Sequence, residues 1–266
     1  MAGRVEGKIA LITGAAKGLG EADARALAAE GARVILTDVD AEAGTEVADE
    51  IGGTFKQQDV TNEARWQEII AEIKAEFGAL HVLVNNAGIV LPGTIEDQSF
   101  TQYQLQMAVS ANATFLGSKY AIPLMAESGG GSIINMASVA SKLAYSAIVG
   151  YAAAKGAVEG MTRSIAAHCL ESGYRIRCNS LHPGTINTPM VQNFGRQTED
   201  FAVVAPPHPD APAANPAETG VLGTPQNIAD VVVFLASDES AFITAQEFVV
   251  DGGMSMIPAP LVNALQ

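Results

Sequence analysis

Apolar residues in this chain gather into short runs rich in Val, Ile and Leu, set between longer stretches in which they recur every three or four positions. The runs predict strands at Lys8–Thr13, Arg33–Asp38, Thr54–Asp59, Leu80–Asn85, Gly131–Ala137, Arg175–His182 and Gln246–Asp251, with helices between them. Several, such as IALIT and VILTD, are nearly continuously apolar. A strand without a polar face must be covered on both sides, which calls for parallel strands, right-handed crossovers and two helical layers. The expected fold is therefore α/β, a doubly wound parallel sheet of seven strands. A chain of 266 residues can bury such a core as one domain spanning 1–266, although its length also admits two small ones.

The pattern lapses at 192–223, where APPHPDAPAANP supplies five of the twelve prolines. A segment of that length is either disordered or a lid over a site; a substrate lid at about 188–223 is the expectation, because core-like sequence resumes after it. The apolar tail MIPAPLVNALQ suits burial against a partner subunit.

Composition narrows the function. The net charge of −14 opposes binding to nucleic acid or an anionic membrane, while leaving a dinucleotide open, because local backbone dipoles bind it. No apolar stretch approaches the ~20 residues of a membrane span, and the first residues lack the layout of a secretion signal. A soluble, cytoplasmic protein is expected. Cys169 and Cys178 read as reduced packing residues, and His81, His168, His182 and His208 form no spaced metal-ligand cluster, so no metal is expected.

After the first strand comes Thr13-Gly14-Ala15-Ala16-Lys17-Gly18-Leu19-Gly20, leading into a helix. Glycines there permit a tight turn, close approach of backbone to pyrophosphate and helix-to-sheet contact, while the helix N-terminus offers free N–H groups to phosphates. That is a Rossmann dinucleotide-binding arrangement. Asp38 ends the second strand, where a carboxylate can accept hydrogen bonds from both adenosine ribose hydroxyls. It would repel the extra phosphate of NADP by about 4 kcal/mol per charge pair at 4 Å and an effective dielectric of 20. NAD is the expected cofactor; Lys17 argues the other way, since a cation in the loop could meet a 2′-phosphate. Val39, Asp59, Val60 and the Asn85-Asn86-Ala87-Gly88 turn lie at further strand ends of the same crevice.

Ser138 follows the fifth strand, and Tyr151-Ala152-Ala153-Ala154-Lys155 opens the next helix. The i,i+4 spacing puts the phenol and ammonium on one helical face. A phenol with a pKa of about 10 is a poor base at neutral pH, and adjacent positive charge favours the phenolate. Ser138 can hold a substrate oxygen while Tyr151 exchanges its proton.

TGAAKGLG, the Asp38 strand end, NNAG, Ser138 thirteen residues before Tyr151, YAAAK and His182-Pro183-Gly184 stand in the order and at the spacings of the short-chain dehydrogenase/reductase family, which residues 5–255 resemble. The resemblance implies Tyr151 as acid/base, Lys155 as ligand of the nicotinamide ribose, and Ser138 as substrate-orienting residue. It also implies cofactor contacts from Gly14, Lys17, Gly18, Leu19, Gly20, Asp38, Val39, Asp59, Val60, Asn86, Ala87, Gly88, Pro183, Gly184, Ile186 and Thr188. The family's helix Asn falls at position 110, which is Ser110 here, with Asn112 two residues on. Two positions are about 200° apart on a helix. Either the Ser110 hydroxyl takes over, or a local irregularity brings Asn112 inward; Ser110 is the expectation.

The substrate pocket is expected from Val139, Ser141, Tyr145, Val149, the loop after Leu91, Met190 and Phe194, a largely apolar lining suited to a hydrophobic carbinol. NNAGIVLPG, SIINMASVAS and GYRIRCNSLHPGTINTPM resemble bacterial 3β/17β-hydroxysteroid dehydrogenases. A hydroxysteroid is thus the leading substrate, with other cyclic or aryl secondary alcohols as the alternative. A catalytically silent NAD-binding regulatory protein is a third reading, favoured by Ser110 and opposed by Tyr151, Lys155 and Ser138 together. The small-residue helix around YAAAKGAVEG packs either on a second subunit or on its own sheet; the family resemblance implies a homotetramer.

Overall fold

The computed structural model describes residues 3–197 and 222–256, with the backbone alone described for 194–197. Seven strands form one sheet: β1 (Ile9–Thr13), β2 (Arg33–Asp38), β3 (Thr54–Gln57), β4 (Val82–Asn85), β5 (Gly131–Met136), β6 (Ile176–Pro183) and β7 (Glu247–Val250). Their order is β3-β2-β1-β4-β5-β6-β7, and every neighbouring pair is parallel. All seven expected strands are present; β2 keeps its expected bounds and the other six differ by one or two residues at one or both ends. Asp59 leaves the ladder because its Oδ1 accepts from Thr61 N (2.9 Å) in a turn, and Leu80 does so because its N–H donates to the Ser128 hydroxyl (3.0 Å).

The helices are α1 (Gly18–Ala29), α2 (Ala41–Ile51), α3 (Glu63–Phe77), α4 (Phe100–Gln106), α5 (Ala113–Glu127), α6 (Val149–Glu171), α7 (Pro189–Gln197) and α8 (Pro225–Ala236), with a π-turn at Met107–Asn112 joining α4 to α5. Their starts carry the residue types that bond free N–H groups. Asp40 caps α2 through Ala43 N (3.3 Å), and Asn62 caps α3 through Arg65 N (3.2 Å).

Along β1 the side chains alternate between two cores. Ala10 and Ile12 enter a cluster with Leu27, Leu36 and Val232 under α1 and α8, while Ile9 and Leu11 enter one with Trp66, Ile69 and Met125 under α3 and α5. Each fully buried large side chain contributes about 1.5–3 kcal/mol, which is why the strand has no polar face. The order reverses between β1 and β4, so the crevice at their C-terminal ends is the switch point where an open α/β sheet binds ligands.

A polar thread also crosses the core at that edge. Asn85 Nδ2 donates to Asn135 Oδ1 (2.8 Å), and Asn135 Nδ2 donates to Thr162 Oγ1 (3.0 Å), tying β4, β5 and α6 together. No helix among the described residues is long and apolar enough to cross a membrane. Most of the expected lid and the apolar tail lie outside the described residues. The feet of that excursion are described: Gly223 N donates to Thr185 O (3.0 Å), and Asn187 N donates to Gly223 O (2.8 Å).

One group runs against the economy of the core. Asp23, on the buried face of α1, is wholly enclosed, and neither carboxylate oxygen has a partner among the described residues. Burial holds its carboxyl well above the usual carboxylate range, so the folded protein keeps a proton that the unfolded chain gives up. Stability from this group is present below the unfolded pKa and is lost as pH rises through the folded one. We expect Asp23→Asn to melt at about the wild-type temperature near pH 4 and progressively above it towards pH 8. The gain is about 2–4 °C per kcal/mol for a protein of this size, checked by thermal melts across that range.

Candidate active site

The crevice is built from the C-terminal ends of the strands. After β1 the chain turns at Gly14 (φ +63°), where a Cβ would stand 2.9 Å from Ala87 Cα. At Gly20 a Cβ would stand 2.3 Å from Gly14 O and 2.5 Å from Asn86 Nδ2. Side chains at either position would force the glycine loop away from itself and from the NNAG turn. Asn86 Nδ2 donates to Thr13 O (2.9 Å) and Gly14 O (3.0 Å), while Thr13 Oγ1 accepts from Asn86 N and Ala87 N, both at 3.1 Å. The NNAG turn thereby clamps the glycine loop from beneath, and Asn86 spends its amide inside the protein. Lys17, the residue before α1, gives no side-chain cap, so the first N–H groups of α1 open onto the crevice. Leu19 packs into the core beside them, and a Cβ at Gly18 would lie 3.7 Å from Thr188.

Asp38 stands at the end of β2 with both oxygens oriented by backbone: Oδ2 accepts from Ala16 N (3.1 Å) and Oδ1 from Asp40 N (3.0 Å). Val39 beyond it is exposed. Lys17 Nζ leans towards Asp40 Oδ2 (3.9 Å) in an exposed pair that carries little energy. Asp59 is exposed; Val60 is buried, and its carbonyl accepts from Trp66 Nε1 (2.8 Å). Pro183 closes β6. Gly184 packs so closely that a Cβ would lie 2.7 Å from Asp251 Cα, and Ile186 is buried.

At the other end of the crevice, Lys155 is 3% exposed, and its ammonium donates to Met136 O (2.6 Å) and lies 5.7 Å from the Tyr151 ring centre. Desolvation brings its pKa down to about 8. Tyr151 is half-buried, and burial raises its phenol while the Ser138 hydroxyl lowers it. The expectation that neighbouring charge favours the phenolate is thus opposed, in the protein alone, by the larger effect of desolvation. Ser138 Oγ accepts from Ala140 N (3.1 Å) at the head of a 3₁₀ turn, Val139–Ser141, and its own proton is directed at the Tyr151 phenol.

The π-turn places Ser110 and Asn112 differently. Ser110 is 1% exposed and its hydroxyl has no partner among the described residues, whereas Asn112 is exposed. A Cβ on Gly88 would stand 3.2 Å from Lys155 Nζ and 3.4 Å from Ser110 Oγ, so both groups look onto the space that Gly88 keeps clear. The helix is irregular here, and the irregularity presents Ser110 while Asn112 stays outside.

Around the expected pocket, Val139 is buried, Val149 and Tyr145 are half-buried, Met190 is exposed at 38%, and the Phe194 side chain lies outside the described residues. Tyr145 is close enough to Asp251 for the carboxylate to raise its phenol further, after burial. Ser141 departs from its expected place in the lining: its hydroxyl turns inward to Ser138 O (2.8 Å) and Glu159 Oε2 (2.9 Å). Two residues that carried no sequence signal hold the loop after Gly88. Gln106 Oε1 accepts from Leu91 N (2.9 Å), while Gln98 accepts from Gly150 N (2.9 Å) and donates to Leu91 O (3.0 Å). Their partners lie too far along the chain for local spacing to reveal them.

The cradle without Cβ atoms, the open helix N-terminus, the oriented Asp38 carboxylate, and the Lys155 ammonium and Ser110 hydroxyl facing Gly88 together fit a nicotinamide dinucleotide laid along the crevice. Comparison with known proteins agrees. Residues 14–255 match the family model described as enoyl-(acyl carrier protein) reductase. The chain is 41% identical to a 3-alpha-(or 20-beta)-hydroxysteroid dehydrogenase of Mycobacterium bovis, over 95% of this chain and 91% of that one. It is 38% identical to a 3-beta-hydroxysteroid dehydrogenase of Comamonas testosteroni, over 96% and 98%. An NADP-dependent (R)-specific alcohol dehydrogenase of Lentilactobacillus kefiri is 36% identical over 95% and 98%. A crystal structure of a short-chain dehydrogenase/reductase from Burkholderia xenovorans superposes with a TM-score of 0.84 at 34% identity, over 97% of this chain and all of that one. Sequence, fold and crevice converge on one conclusion: the chain belongs to the short-chain dehydrogenase/reductase family of nicotinamide-dinucleotide oxidoreductases.

Proposed function

We propose that this protein is an NAD-dependent dehydrogenase that interconverts a bulky apolar secondary alcohol, foremost a hydroxysteroid, and its ketone. The observation that carries the reading is the meeting of the Tyr151 phenol, the Ser138 hydroxyl and the Lys155 ammonium at one end of the dinucleotide crevice. When bound, the oxidised nicotinamide supplies the acceptor for the hydrogen and two electrons that leave the carbinol carbon. Ser138 turns its proton from the Tyr151 phenol to the substrate oxygen and holds it in place. Tyr151 takes the hydroxyl proton as the carbonyl forms, and returns it in the reverse direction. Lys155 binds the nicotinamide ribose hydroxyls and favours the phenolate by its charge. Ser110 faces the same space through its unpartnered hydroxyl and takes the place of the family's helix Asn.

Asp38 supports NAD over NADP, because its oriented carboxylate accepts ribose hydroxyl protons and repels a 2′-phosphate. The mostly apolar residues around the pocket, Val139, Val149 and Met190, together with two relatives named for hydroxysteroids, support the substrate class. The Lentilactobacillus relative, named for an alcohol and for no steroid, supports the second reading, a non-steroid cyclic or aryl secondary alcohol. For assembly, the groove of Phe115, Ile122, Met161, Ile165 and Tyr174 along α5 and α6, with open space before Gly156 and Gly160, supports self-association towards a tetramer.

Tyr151→Phe should reduce turnover by about 10³-fold or more while NAD affinity stays within a factor of about two. Steady-state rates on a panel of steroids, cyclic alcohols and aryl carbinols, with NAD titrations, check this; retained turnover removes Tyr151 as the acid/base. Asp38→Ala should narrow the ratio of kcat/KM for NAD over NADP by about tenfold or more, given that 1.4 kcal/mol is a factor of ten. An unchanged ratio means that the ribose is read elsewhere.

A further inference from the structure

The reaction above leaves one buried polar cluster unused. His182, on β6, is completely enclosed. Its Nε2 lies 2.9 Å from Ser180 Oγ, and its Nδ1 lies 3.1 Å from Ser141 Oγ, 3.2 Å from the Ser138 carbonyl oxygen and 4.0 Å from Glu159 Oε2. Glu159 is also held by Lys142 (3.4 Å) and Arg163 (3.3 Å). Both cations in turn bind Glu247, Lys142 at 2.5 Å. The ligand atoms of Glu159, His182 and Glu247 come within 4.8 Å of one another. Two ammonium or guanidinium groups already balance the two carboxylates, so the cluster is an internal network, and its chemistry differs from that of a metal centre.

Counting protons fixes its direction. A carbonyl oxygen can only accept, so the 3.2 Å contact between His182 Nδ1 and the Ser138 carbonyl puts the imidazole proton on Nδ1. The Ser141 hydroxyl, with one proton, is then left with two acceptors, the Ser138 carbonyl (2.8 Å) and the Glu159 carboxylate (2.9 Å). The charged acceptor makes the stronger bond, so the proton goes to Glu159. The Ser138 carbonyl, which already accepts from Ser141 N (3.0 Å), takes a second donor from His182 Nδ1–H, and Nε2 accepts from the Ser180 hydroxyl. With this tautomer every group in the chain is satisfied by a neutral imidazole. Burial, which lowers the His182 pKa, favours that neutral form.

We infer that His182, acting with Ser141 and Glu159, is a positioning residue that fixes the main chain at Ser138 and so aims the Ser138 hydroxyl at the substrate oxygen. The Ser138 Oγ accepts from Ala140 N (3.1 Å) within the same turn, and therefore turns with that carbonyl. The inference rests on the reading of Ser138 as the substrate-orienting residue.

The test pairs substitutions at the two positions. His182→Leu deletes the donor, whereas His182→Asn keeps an N–H at the position of Nδ1. His182→Leu is expected to lower kcat by about tenfold or more, the weight of one buried hydrogen bond, with the NAD dissociation constant unchanged within about twofold. His182→Asn is expected to recover most of the loss. In a Ser138→Ala background, assayed at high enzyme concentration, His182→Leu is expected to lower kcat no further, because both changes act through one hydroxyl. Equal losses in both backgrounds, no recovery by Asn, or a folded His182→Leu protein with kcat within about twofold of wild type would overturn the inference. Should His182→Leu fail to fold, Ser141→Ala serves in the same cycle, with a smaller loss expected that again vanishes when Ser138 is absent. A Ser138→Ala protein with full turnover instead removes the reading of Ser138 itself, and the role of His182 falls with it.

Discussion

A lysine ammonium taken out of water organises the chemical end of this protein. Lys155 is enclosed, its proton binding weakened to a pKa of about 8, and its described hydrogen-bond partner is the carbonyl of Met136. A buried charge with so little compensation lowers the stability of the fold relative to an apolar residue of the same volume. Its position explains what it contributes instead. Met136 is the last residue of β5, so the contact sets the rotation of α6 against the sheet, and one turn earlier on the same helix stands Tyr151. The gap at Gly88 and the Ser110 hydroxyl are then placed relative to that same nitrogen.

The sheet could be read from the sequence because parallel strands buried on both faces leave a mark no other element leaves: short, continuous apolar runs bounded by turn residues. Strand ends were less legible: Asp59 leaves the ladder for a local turn with Thr61, and Leu80 leaves it for the Ser128 hydroxyl, 48 residues on. The polar thread through Asn85, Asn135 and Thr162 was hidden for a related reason. A polar residue at a strand end looks like the start of a loop until its partner on another element is known.

The candidate site divides in the same way. The glycine loop and the Tyr151–Lys155 pair lie within one turn or one helix, where spacing along the chain is spacing in the molecule. Gln98 and Gln106 work through partners 52 and 15 residues away, so nothing local announces them, and the His182 of the His-Pro-Gly strand end bonds to Ser138 O, 44 residues back. Ser141 was misplaced because the neighbour of a pocket residue can as readily face inward, and here a carboxylate draws its hydroxyl that way. The direction of the Tyr151 shift was missed because charge can be counted from sequence and desolvation cannot.

The π-turn at Met107–Asn112 has a further effect on the helix that contains it. Gln106, Ser110, Thr114 and Ser118 are all buried, and they follow one another in steps of four. On a regular helix each such step turns about 40° past a full circle, so the last of them would stand about 120° from the first. A wider turn in the middle winds part of that drift back and keeps these four polar groups on one inward line. The length of this segment is therefore a structural quantity in itself: removing one residue would swing all of α5 by about 100° and carry Thr114 and Ser118 off the line that Gln106 begins.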